Sequence, residues 1–285
     1  MSRELISRAA ALIRQADGLL ITAGAGMGVD SGLPDFRSSN GFWKSYPALE
    51  RANIEFESIA NPASFRRDAR QAWGFYGHRL NLYRQTVPHP GFALLKKMGE
   101  QLQHGVFIHT SNVDGQFQKA GFDEGRVSEI HGSIHHLQCV KESCSSAIWS
   151  ADTFHPEINH DEFRLLNDLP VCPSCGSLAR PNILMFGDWA WRPDRARKQG
   201  AGLSGWLRSV IRPVVIEIGA GSDISTVRRF GERFPNLIRI NPREFQVHRD
   251  DAVGIAMGGL DALEMLHIEL MGWGRDVAAR VTAYR

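Results

Sequence analysis

Short, mostly apolar stretches punctuate the chain at residues 19–23, 106–110, 183–186, 214–218 and 237–240. Their length and composition predict buried β-strands. Most are separated by enough chain for a crossover helix. That alternation predicts an α/β fold with a doubly wound, Rossmann-like parallel sheet and helices on both faces. At the front, Arg3, Glu4, Arg8 and Arg14 alternate with Leu5, Ile6, Ala9, Leu12 and Ile13. This is the period of an amphipathic helix and not the apolar block of a signal peptide. Two segments break the α/β rhythm. Residues 41–86 are rich in aromatics and arginines and read as a helical insertion. Residues 139–176 hold a polar middle with little periodicity and read as a second inserted module. The remaining pieces, 1–40, 87–138 and 177–285, form the discontinuous parent domain. The chain shows no internal repeat and no low-complexity linker.

The first apolar run feeds directly into Gly24-Ala25-Gly26-Met27-Gly28-Val29-Asp30-Ser31-Gly32-Leu33-Pro34-Asp35-Phe36-Arg37. Glycine allows sharp turns and close approach of backbone to a ligand because no Cβ intervenes. A strand running into such a turn is how α/β proteins present backbone N–H groups to a pyrophosphate. The spacing is not the usual G-x-G-x-x-G. By itself the pattern therefore also fits a glycine-rich surface turn. The proline, carboxylate, aromatic and guanidinium that follow narrow that choice.

Composition sets the outer limits. With 285 residues, 43% of them hydrophobic, the chain can bury a core for one large domain or for one large and one small. Lys plus Arg number 33 against 31 for Asp plus Glu, a near balance that argues against nonspecific nucleic-acid binding. No run approaches the length of a membrane span. The reading is of a cytoplasmic protein.

All four cysteines are Cys139, Cys144, Cys172 and Cys175. In a reducing compartment such a cluster is a metal site more often than a pair of disulfides. Each close pair can span one edge of a tetrahedron around Zn²⁺, and four thiolates leave no open position for water. The expected site is one closed, structural zinc per chain.

The stretch Gly24–Arg37 closely resembles the first NAD-binding signature of the sirtuins, NAD-dependent protein deacylases, whose form is GAG-I-S-x-x-S-G-I-P-D-F-R. Met27 stands in place of the isoleucine and Gly28 in place of a small hydroxyl residue. The resemblance continues in order from about Leu5 to about Leu270. Thr110-Ser111-Asn112-Val113-Asp114 resembles T-Q-N-I-D, with Ser111 replacing the glutamine. His131-Gly132 matches the family's H-G dipeptide, and the cysteines fall where sirtuins carry a zinc module. Phe186-Gly187-Asp188 resembles F-G-E, Gly219-Ala220-Gly221-Ser222 stands where the family has G-T-S, and Asn241 follows the last strand.

That resemblance implies a set of roles. NAD would be held by Gly24, Ala25, Gly26, Gly28, Pro34, Asp35, Phe36 and Arg37. Ser111, Asn112, Val113, Asp114, Gly219, Ala220, Gly221, Ser222 and Asn241 would complete its site. Asp114 would recognise the carboxamide and Asn112 would order the catalytic water or the ribose. His131 would be the general base, since an imidazole titrates near neutral pH. Phe186, Gly187 and Asp188 would pair with an acyl-lysine peptide. Helical spacing puts Tyr76 and Arg79 on one face, and desuccinylase-type sirtuins resemble this in a Tyr-x-x-Arg pair that grips an acidic acyl group. The implied reaction transfers the acyl group to ADP-ribose, releasing nicotinamide and 2′-O-acyl-ADP-ribose. Two other uses of the same cleft stay open from sequence: an ADP-ribosyltransferase or NAD hydrolase, and a non-catalytic NAD- or ADP-ribose-binding module.

Overall fold

A computed structural model describes residues 2–34, 47, 50 and 54–282. Six strands form a parallel sheet: β1 (Gly18–Ala23), β2 (Val106–Thr110), β3 (Val127–Glu129), β9 (Pro213–Ile218), β10 (Leu237–Ile240) and β11 (Ala252–Ile255), in the order β11-β10-β9-β1-β2-β3. β1 is flanked by β9 and β2, all three pairing in parallel. The strand order reverses there, and open α/β sheets bind ligands outside the carboxyl ends of strands at such a switch.

The strands are apolar because both faces are covered. On one face Leu19, Ile21, Ile108, Val214 and Ile216 join Ile6, Ala9 and Ile13 of the helix Ser2–Gln15 and Leu263 and Leu266 of the helix Gly259–Thr282. On the other, Leu20, Phe107 and Val215 meet Leu203 and Trp206 of the helix Asp194–Ser209. The doubly wound expectation holds. No helix among the described residues is long and apolar enough to cross a membrane.

A second unit sits over one end of this sheet. It contains an antiparallel sheet of β4 (Gly132–Cys139), β5 (Trp149–Ser150) and β8 (Ala179–Ile183), and a ribbon of β6 (Ile158–Asn159) and β7 (Arg164–Leu165). Helices Pro62–Arg67 and Ala69–Gln85 pack against them, giving a separate core that includes Trp73, Phe75, Tyr76, Ile134, Leu137 and Ile183. The Trp73 indole N–H donates to the Ala179 carbonyl at 2.9 Å, tying helix to sheet. In its described part, the aromatic segment is helical as expected.

One strand expectation fails. Residues 183–186 do not join the parallel sheet: β8 ends at Ile183 and pairs antiparallel with β4. Ile183 and Met185 are buried while Leu184 and Phe186 are 38% and 37% exposed. The alternation is that of one extended edge, whose outer side is apolar because it faces a cleft. Two strands, β3 and β11, were not apparent as apolar runs.

Candidate active site

A cleft of about 650 Å³ lies between the two units at the carboxyl ends of β1, β2 and β9. Its walls bring together Gly24 and Ala25 after β1, Ser111–Asp114 after β2, His131 after β3, Ala220 and Gly221 after β9, and Leu184 and Phe186 beyond β8. Pro34 lines it too. Asp35, Phe36 and Arg37 lie outside the described residues.

The floor is built by hydrogen bonds that continue past the strand ends. Gly24 N–H donates to Ile218 O, Gly26 N–H to Gly219 O, Met27 N–H to Gly24 O, and Gly219 N–H to Ile240 O. The turn Ala25–Ser31 is a 3₁₀ helix. A Cβ on Gly26 would stand 2.7 Å from the Gly219 Cα, so the two backbones touch only because both residues are glycine. Two features of this loop bear on how it could meet a ligand. Amides of Gly24, Gly26 and Met27 are already spent on protein carbonyls, so they are not a free cradle for phosphate. A side chain at Gly28 would point at Leu33, 2.9 Å away, and Gly28 does not line the cleft.

Asn112 Nδ2 donates to Gly24 O at 3.0 Å, clamping the β2 loop to the glycine turn. Asp114 is buried. Its Oδ1 accepts from the Gln116 N–H at 2.9 Å, the Asx turn that starts the next short helix. Burial, helped by the negative charge of Glu129, raises its pKa to about 6, against the pull of Arg79 and that hydrogen bond. Across from it, burial lowers the pKa of His131, opposed by a hydrogen bond with the Ser111 backbone. A neutral imidazole able to take a proton is the result. The residue after it must be glycine: φ is +77°, and a Cβ would stand 2.0 Å from Asn182 O of β8. Gly132 thus lets β4 start beside β8 with His131 at the cleft wall.

Other expected site residues take indirect positions. Asn241 spends its amide on Ala220 O and accepts from the N–H groups of Arg243 and Glu244, ordering two loops. Ser222 gives its hydroxyl and N–H to Glu244 and is absent from the cleft wall. The Asp188 side chain turns inward to a buried ion pair with Arg180 at 2.7 Å. Gly187 follows Phe186 in an exposed turn.

Tyr76 and Arg79 both line the cleft, on the one helix face that their spacing expects. Arg79 Nε and Nη2 donate to the Tyr83 hydroxyl at 3.1 and 2.6 Å, and Tyr76 stacks on Phe65. Tyr83, one helical turn beyond Arg79, is the phenol that sequence spacing overlooked. Glu57, Asp223, Ile224 and Val227 also line the cleft without any motif to signal them.

The four cysteine sulfurs lie within 4.8 Å of one another. Cys139–Cys175 are 3.6 Å apart and Cys144–Cys172 3.8 Å, close to the edge of about 3.8 Å that a tetrahedron with Zn–S bonds of about 2.3 Å requires. The donor set fits zinc. Arg192 straps this module, its guanidinium donating to the carbonyls of Lys141, Cys144 and Ser146.

With this geometry in place, the family comparison is decisive: the model of the Sir2 family matches residues 24–198. The chain belongs to the Sir2 family. A Thermococcus kodakarensis relative named NAD-dependent protein deacylase is 34% identical over 186 residues, 65% of each chain. A Shouchella clausii NAD-dependent protein deacetylase is 33% identical over 177 residues, 62% of this chain and 63% of the relative. The matched stretch therefore spans a little under two thirds of these Sir2 relatives. A crystal structure described as a Sir2 homologue–NAD complex superposes with a TM-score of 0.68 at 22% identity, covering 95% of this chain and 94% of that one. That likeness extends the Sir2 fold across the chain, including the parts beyond residue 198.

Proposed function

We propose that this chain is an NAD-dependent protein-lysine deacylase that releases nicotinamide and 2′-O-acyl-ADP-ribose. The observation that carries the reading is the convergence of His131, Asn112, Asp114, two glycine turns and the Leu184–Phe186 edge on one cleft. The names of the relatives support it.

NAD bound along this floor would supply an anomeric carbon activated by its nicotinamide leaving group. The protein's own work is placement and proton handling. Packed glycine turns fix the floor, and Asn112 locks the β2 loop onto it. Asp114, as a carboxylate, accepts hydrogen bonds from the carboxamide. The N–H groups of Leu184, Met185 and Phe186 donate to His131 O, Asp188 and Ala60 O, so this edge would meet an extended acyl-lysine peptide through its carbonyl oxygens, a mode that gives affinity with little sequence choice. His131, neutral at pH 7, takes the proton of a ribose hydroxyl. Arg79, held by Tyr83 at the cleft wall, would favour an acyl chain ending in a carboxylate. Zinc would be structural, held by the four thiolates. Free thiols gathered for a metal suit a reducing compartment, which supports a cytoplasmic setting. The near-neutral charge balance supports protein substrates over nucleic acid.

The test is an assay over acetyl-, succinyl- and malonyl-lysine peptides with mass-spectrometric product identification, alongside His131→Ala. Acyl-ADP-ribose from the native chain and its loss in the variant are expected. ADP-ribosylated protein or free ADP-ribose without deacylated peptide would replace this reading.

A further inference from the structure

The glycine turn after β1 is held on one side by Gly219 and Asn112, and on the other by a histidine that no motif signals. His89 lies just before the helix Gly91–Glu100 and is buried. Its Nε2 stands 3.0 Å from the Met27 carbonyl, inside the 3₁₀ turn Ala25–Ser31. Its backbone N–H donates to Ser31 Oγ at 3.0 Å, at the end of that turn. Its Nδ1 accepts the Gly91 N–H at 3.1 Å.

Those contacts decide the tautomer of the ring. A nitrogen that accepts the Gly91 N–H carries no proton, so the proton of the neutral ring sits on Nε2 and is donated to Met27 O. Burial lowers the ring's pKa, against the pull of the Met27 carbonyl and Asp30, and so favours that neutral form. The ring lies against Gly91, where a Cβ would stand 2.5 Å from its Cε1, and Phe92 packs beside it at 4.9 Å between centroids. The Met27 peptide is therefore bonded at both ends. Its N–H reaches Gly24 O, the carbonyl that Asn112 also holds, and its carbonyl reaches His89. Gly24 lines the cleft, so this run of bonds leads from the cleft floor to the buried ring.

We propose that His89 is a positioning residue for the dinucleotide, its Nε2–H holding Met27 O so that the glycine turn keeps the conformation that receives NAD. It touches no ligand and acts through the turn. The proposal rests on the reading that NAD lies on this floor, and not on what becomes of the acyl group. A turn released from His89 samples other conformations, and its apparent affinity falls with the fraction of time it is competent.

The test is calorimetric titration of the whole chain with NAD alone, at about pH 8 where the ring is neutral, comparing His89→Asn with His89→Gln. Asparagine puts Oδ1 in place of Nδ1 and keeps the Gly91 N–H bond as an Asx turn, but nothing reaches Met27 O. Glutamine's amide extends to the place of Nε2 and donates to Met27 O, giving up the Gly91 bond. Each variant loses one hydrogen bond, and the backbone bond to Ser31 stays in both. A histidine that only stabilises the fold therefore predicts equal NAD affinities. The asparagine variant should instead bind NAD about tenfold more weakly than the glutamine variant, the worth of one net hydrogen bond. Equal affinities in variants whose melting curves show folded chains would overturn the role of His89 and leave NAD binding standing. No NAD binding by the native chain would overturn the reading of the floor as well. Hydrogen exchange on the native chain needs no variant: NAD should slow exchange at 88–92 together with 24–33. Protection confined to 24–33 would overturn the coupling.

Discussion

Replacing Asp188 by asparagine isolates the role of one buried charge beneath the peptide edge. In the native chain Asp188 Oδ2 meets Arg180 Nη1 at 2.7 Å and Oδ1 meets Nη2 at 2.8 Å, with side-chain exposures of 0% and 3%. The same carboxylate accepts the Met185 N–H at 3.3 Å, which fixes the bend carrying Leu184 and Phe186. Asparagine keeps the shape and an oxygen for Met185 but leaves the guanidinium buried without its counter-charge. Breaking a buried pair in this way costs about 3–5 kcal/mol. That is a large share of a total stability of about 5–15 kcal/mol. Adding Arg180→Met removes the orphaned charge, so the double variant should recover much of the loss. Urea unfolding of the native chain, both single variants and the double variant gives the coupling energy directly. Michaelis constants for an acyl-lysine peptide should rise in Asp188→Asn, since the edge it supports is displaced. A loss below about 1 kcal/mol, the range of exposed ion pairs, would refute the reasoning. So would a double variant no more stable than Asp188→Asn.

Three further outcomes follow from other parts of the site. Asp114 titrates near pH 6 in the folded chain against an ordinary 3.8, so its neutral form is favoured by folding. Its contribution to stability is full below about pH 4 and is lost as pH rises through 6, while the carboxamide role proposed for it would need the carboxylate that appears over the same interval. NAD affinity in equilibrium titration, a readout that needs no general base, should therefore fall on the acid side of pH 6 in a way that Asp114→Asn removes; an unchanged pH dependence in that variant rejects the assignment. Gly26→Ala should abolish NAD binding in equilibrium titration because its Cβ meets backbone, whereas Gly28→Ala, which meets only the Leu33 side chain, should retain most of it; equal losses would contradict the packing described. Chelation of zinc should release one ion per chain by elemental analysis and lower the melting temperature, because β4 carries both Cys139 and core residues Ile134 and Leu137; identical melting with and without metal would argue against a structural ion.

The parallel sheet was readable wherever buried strands are apolar on both faces, as β1, β2, β9 and β10 show. β3 escaped because it reads Val127-Ser128-Glu129. Glu129 is buried there only through Arg195 and Gln199, side chains that arrive from a distant helix. Residues 183–186 misled for the opposite reason: apolar side chains on both sides of the edge imitate a doubly covered strand, though one side faces the cleft. In the site, motifs located His131, Asn112, Asp114 and the cysteines because their chemistry is tied to local spacing. They could not distinguish residues facing a ligand from those supporting them. Asn241, Ser222 and Asp188 spend their polar atoms on other protein groups, and only the fold brings Glu244 and Arg180 to them. Tyr83 was missed because helix geometry favours i+4 as readily as i+3 for partnering Arg79.

Gly26 and Gly219 touch backbone to backbone from two strands far apart in the chain, and each excludes a side chain at the other. Neither position can drift alone, and no compensating change in its partner would help, since glycine is already the smallest residue. Stepwise mutation must then reshape this cleft through its walls. The side chains of Glu57, Asp223 and Ile224 line those walls, while the floor beneath them stays fixed. New acyl or peptide preferences would arise as changes of lining around a fixed backbone, an arrangement that keeps one ligand while letting the other diversify.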